Sequence, residues 1–136
     1  MTRPQTSGFI AIAALILTYV GASILFTPVG FYAANGTMLE HQPNILSEVR
    51  ASGGLLLGSG IAIFLSVFVP ALRPQALGLS SLVYLTYGFA RVFSMILDGM
   101  PSLSLTLSAG VEIFIGALSA LAWTRNTKTI HPDPSK

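Results

Sequence analysis

The stretch ASGGLLLGSGIAIFLSVFVPAL, residues 51–72, runs for 22 residues without a charge. A bilayer's hydrocarbon core, roughly 30 Å thick, is crossed by about 20 helical residues. Lipid offers the backbone no hydrogen-bond partner, so a run like this must satisfy its own N–H and C=O groups as a helix. The stretch reads as a membrane span. Working outward, three further runs fit the same description. Gly8 to Phe26 carries no charge, Ala76 to Leu97 carries only Arg91, and Ser102 to Trp123 carries only Glu112. The four runs hold 85 residues and two charges, while the other 51 residues hold ten.

Composition agrees with that reading. The 136 residues are 52% hydrophobic and 9% charged, against roughly 25% charged in soluble domains. There are too few charges to tile a water-facing surface. The chain is therefore expected to be an all-α integral membrane protein, a single domain folded as an antiparallel four-helix bundle. The net charge of +2 comes from scattered basic residues, and nucleic-acid binding needs them clustered. The absence of cysteine excludes disulfides and thiolate metal sites.

Orientation follows from the basic residues, which accumulate on the cytoplasmic side. An even number of spans puts both termini on one side, together with the Arg73-Pro74 turn. That side collects Arg3, Arg73, Arg125, Lys128 and Lys136, five of the seven basic residues. The reading is a bacterial inner-membrane protein with both termini cytoplasmic and its first run retained as a span. Residues 27–47 form an outer loop that mixes turn residues with apolar ones, which suits lying on the membrane or capping the bundle. Asn44 is expected to cap the second helix. Residues 124–136 form a polar cytoplasmic tail, kept extended near its end by Pro132 and Pro134.

The two intramembrane charges are the main functional signal, because such residues are expensive in lipid and face a partner inside the bundle. Arg91 lies roughly 9 Å below the outer end of its span and Glu112 about 15 Å below it, at 1.5 Å per residue. The short Asp98-Gly99-Met100-Pro101 turn makes their helices antiparallel neighbours, so the two are expected to pair. Tyr84, Tyr87, Arg91, Ser94 and Asp98 recur at spacings of three and four along one helical stripe. Ser108, Glu112, Gly116 and Ser119 do the same on the last span, and Glu48 and Arg50 open the second. Arg91, Glu112, Glu48, Arg50, Asp98, Tyr84 and Tyr87 thus form a candidate polar cluster at the outer end. It reads first as a structural lock, next as a ligand pocket and last as an ion path.

Gly54-Leu55-Leu56-Leu57-Gly58 is a small-xxx-small pattern that lets helix backbones approach closely. Gly54 and Gly58 are candidate helix-packing residues, either within the bundle or at a homodimer seam. Neither His41 nor His131 has a second histidine at ligand spacing, so no metal site is expected. The sequence carries no cofactor motif, and none of the catalytic patterns that sequence alone reveals.

These residues also carry a family resemblance. Glu48-Val49-Arg50-Ala51-Ser52-Gly53-Gly54, then Gly58 and Gly60, Gly88-Phe89-Ala90-Arg91, Asp98-Gly99-Met100-Pro101 and Glu112 together resemble an uncharacterised bacterial family, domain of unknown function 4345. Those are small four-helix membrane proteins distantly similar to the DoxX-like group. The likeness extends from about Gly8 to Trp123, departing at Ser52, where an aromatic is expected. It implies a fold and no activity.

Three function classes stay open. The leading one is a non-enzymatic scaffold or accessory subunit that binds a membrane protein or lipid, within the bilayer and without nucleic acid. A second is a small proton- or cation-coupled transporter using Glu112. A third is a membrane enzyme acting on a lipid or quinone in an Arg91/Glu112 pocket.

Overall fold

The structure, a computed structural model, describes residues 3–130, with side chains described over residues 5–125. It contains α1 (Arg3–Phe26), α2 (Pro28–Ala34), α3 (Pro43–Phe68), α4 (Arg73–Asp98) and α5 (Leu103–Ile130). There is no strand among the described residues. All but the short α2 are long and apolar enough to cross a membrane.

Proline and glycine set the helix boundaries. Pro28 opens α2 directly after α1, and Pro43 opens α3 behind an extended Gln42; a proline at the first helical turn loses no hydrogen bond. Val69 leaves helical geometry ahead of Pro70, whose ring disfavours a helical residue before it, and a single 3-10 turn, Pro70–Leu72, leads into α4. Gly99 ends α4 at φ 94°, a conformation in which a side chain would be strained.

These boundaries differ in places from the sequence reading. The outer loop contains α2, and α3 starts at Pro43 with Gln42 as its cap, so Asn44 lies inside the helix. The second helix stops at Phe68 because Pro70 interrupts it, whereas hydropathy alone carries the run to Leu72. The last helix continues past Trp123 to Ile130. The extended tail expected around Pro132 and Pro134 lies outside the described residues.

Packing divides the chain into two antiparallel hairpins. α1 lies along α3, and α4 along α5; a lesser α3–α4 contact joins the pairs. The α1–α3 seam is made by backbone. A Cβ on Gly53 would sit 2.7 Å from the Leu25 nitrogen, and one on Gly60 would sit 2.7 Å from the Thr18 nitrogen. A Cβ on Gly21 would run into the Leu57 nitrogen. Such contact lets dispersion act along two helices where lipid supplies no hydrophobic drive. The intramolecular seam thus uses Gly53 and Gly60 in place of the expected Gly54 and Gly58: beyond each of those last two glycines nothing lies within 4 Å.

The core that unites the hairpins is a narrow stripe. Ile10, Ala13, Leu17 and Ile24 of α1 meet Leu56 and Ile63 of α3 and Leu77 and Tyr84 of α4. Large apolar side chains such as Leu55, Leu82 and Phe114 are more than 60% exposed on the outside. In water that surface would drive aggregation; facing acyl chains, it is the expected exterior.

Candidate functional site

The α2 end of the molecule gathers the polar side chains. Arg91 on α4 and Glu112 on α5 form an ion pair, with Arg91 Nε donating to both carboxylate oxygens at 3.1 and 3.0 Å. Their helices are held close enough by Gly88 and Gly116, where a Cβ would come within 3.1 Å of Ile113 and 2.9 Å of Leu85 backbone nitrogens. Deeper along the same seam the Ser80 and Ser119 hydroxyls hydrogen-bond at 2.9 Å, fully buried.

The pair is not sealed. Its side chains remain 30% (Arg91) and 16% (Glu112) exposed, and both line a cleft of about 280 Å³ between the hairpins. α1 and α5 form opposite walls of this cleft, presenting Ile16 and Val20 on one side and Leu107 and Val111 on the other. Tyr84 closes the floor, its hydroxyl donating to the Ala13 carbonyl at 2.6 Å. Tyr87 lines the wall. Among the described residues the Arg91 Nη groups have no hydrogen-bond partner, because Nε alone engages Glu112. A guanidinium carries five N–H donors, so four remain to meet whatever enters.

At the mouth, the Ser102 hydroxyl donates to the Asn35 carbonyl at 3.0 Å. This ties the turn after α2 to the start of α5, so the hairpins touch at this end although α1 and α5 do not pack along their length. A wider hollow of about 700 Å³ on the far side of α4, at Gln75, Gly78 and Trp123, has no charged residue in its lining.

Of the expected cluster, the structure brings Tyr84, Tyr87, Arg91 and Glu112 together. Glu48, Arg50 and Asp98 share the same end but are exposed and stand apart from the cleft. Arg50 instead donates to the Leu25 carbonyl, capping the C-terminal turn of α1 as a cation favourably does. Asp98 accepts from Ser94 at 2.8 Å within its own helix. Sequence reasoning missed the α1 wall, because helices distant in sequence leave no spacing signal. It also missed Ser80, although the Ser80-Ser81 pair of hydroxyls on an apolar stretch across the hairpin from Ser119 was a readable cue.

With this geometry in hand, the chain can be compared with known proteins. The model for the domain of unknown function DUF4345 matches residues 6–123, nearly the whole described fold. The chain belongs to the DUF4345 family. No curated protein matches it, and no solved structure does. Membership of DUF4345 covers all four long helices and the cleft they form, and it supplies no activity; function has to be argued from the site.

Proposed function

We propose that this chain is a non-enzymatic membrane protein that holds a lipid-like amphiphile in the cleft between α1 and α5. The observation that carries this reading is one ion pair on the wall of a mostly apolar cleft, whose other polar groups are Ser104, Ser108 and the two tyrosines, at the depth of the spans. Ligand sites have this character, mostly apolar with a few convergent polar groups. We place the protein in a bacterial inner membrane with both termini cytoplasmic, on the distribution of its basic residues.

Native mass spectrometry of protein extracted gently from its own membrane tests the reading. Wild-type protein is expected to carry a lipid-sized adduct that Val111→Trp, at a half-exposed cleft position, removes without unfolding the chain. Protein that emerges empty, or an adduct indifferent to Val111→Trp, sinks the proposal.

A second reading, an accessory subunit or homodimer, is favoured by the outward face of α3. Gly54 and Gly58 there meet nothing within 4 Å, and Leu55, Ile61 and Leu65 beside them are about half exposed or more. The same spectra report it, as a larger assembly that Gly58→Leu dissolves.

A further inference from the structure

We infer that the occupant of the cleft is an uncharged, single-chain amphiphile whose head both donates and accepts hydrogen bonds, a monoacylglycerol being the simplest of that class. This inference rests on the ligand-binding reading above and specifies the ligand.

Charge sets the first constraint. Arg91 and Glu112 neutralise each other through Nε and the carboxylate, and no other charged side chain lines the cleft. A site of zero net charge in a low-dielectric setting has nothing left to compensate a phosphate or an ammonium. An anionic head on the Arg91 Nη groups would also sit within one guanidinium's width of the Glu112 carboxylate, and like charges so placed repel strongly.

Hydrogen bonding is the second strand. The unpartnered Nη groups are donors only, and the Glu112 carboxylate is an acceptor only. Side by side on one wall, they fit a head presenting a carbonyl to the first and a hydroxyl to the second. A glycerol ester has both; a bare hydrocarbon has neither.

Size is the third. A volume of about 280 Å³ is at the lower end of small-molecule sites, roughly 300–1,000 Å³. It admits a small head and the start of one chain. The remainder can leave between Ile16 and Leu107, where α1 and α5 do not pack together. A two-chain phospholipid is too wide.

Three probes with the same oleoyl chain separate the alternatives: monooleoylglycerol, oleate and oleoyl lysophosphatidate, each titrated into purified protein in nanodiscs. Monooleoylglycerol is expected to bind at least about tenfold more tightly than lysophosphatidate, with oleate also weaker. Val111→Trp should abolish this binding. In Glu112→Gln, which leaves the arginine charge uncompensated, the order should reverse in favour of lysophosphatidate. If wild-type protein prefers lysophosphatidate or oleate, and Val111→Trp blocks that binding, the cleft binds lipid but the inferred class is wrong. If no probe binds, or Val111→Trp changes nothing, the ligand-binding reading itself fails.

Discussion

The two hairpins solve one problem in different ways. α1 and α3 are held by bare backbone at Gly21, Gly53 and Gly60, and no ion pair crosses between them among the described residues. α4 and α5 also approach over glycines but add the Arg91–Glu112 pair and the Ser80–Ser119 bond. The first seam depends mainly on shape, with the Arg50–Leu25 hydrogen bond at one end, and the second on shape plus an ion pair. A seam made mainly of shape tolerates no added atom, whereas an ion-paired seam tolerates no removed partner. The cleft opens beside the second, where polar atoms have been left partly unengaged.

The sharpest way to break this contrast is to remove one charge. Arg91→Ala leaves Glu112 unpaired in an apolar setting and is expected to destabilise by about 3–5 kcal/mol, while Arg91→Leu with Glu112→Leu comes out near neutral. Thermal melts in detergent check the order; a double variant less stable than either single one contradicts it. On the other seam, Gly21→Val forces a side chain into the Leu57 backbone, with an expected loss of roughly 1–3 kcal/mol or somewhat more. The same melts apply, and an unchanged midpoint would show that α1 and α3 can separate freely.

Smaller changes sharpen the picture. Tyr84→Phe removes the one hydroxyl tying α4 to the Ala13 carbonyl, worth about 1 kcal/mol, and its effect should appear as faster amide exchange around Ala13. Ser119→Ala breaks the buried serine pair for only about 0.6 kcal/mol, the average for such bonds between membrane helices. Gly58→Ala meets open space and is expected to leave the monomer's melting temperature unchanged or slightly raised, given alanine's better helix propensity. A large loss there would place a partner helix on that face.

Much of the fold was legible because membrane spans are written in composition. Four uncharged or singly charged runs can hardly be anything else in lipid, and the four-residue turn at Asp98 set Arg91 opposite Glu112. What the sequence hid depends on relations between elements. Gly53-Gly54 and Gly58-Ser59-Gly60 offer several small-residue faces, and it is the placement of Gly21 against Gly53 and of Ala14 and Thr18 against Gly60 that selects those two over Gly54 and Gly58. Glu48, Arg50 and Asp98 appeared to belong with the ion pair because they share its end of the molecule. Glu48 and Arg50 are instead exposed on α3, Asp98 shares the phase of Arg91 but lies two turns beyond it at the exposed end of α4, and Arg50 is consumed in capping α1. The short α2 has too few residues for a periodic signal.

The two-hairpin architecture also bears on how the chain is made. Each hairpin closes over its own seam between helices adjacent in sequence, apart from the small α2. Translation delivers the chain N-terminus first, at about 5–20 residues per second. The Gly21–Gly53–Gly60 seam can therefore be complete in itself before the second hairpin has entered the bilayer. The later hairpin then enters the bilayer with its two charges arriving about a second or a few seconds apart. Tyr84, whose hydroxyl reaches back to the Ala13 carbonyl, ties this later hairpin to the earlier one.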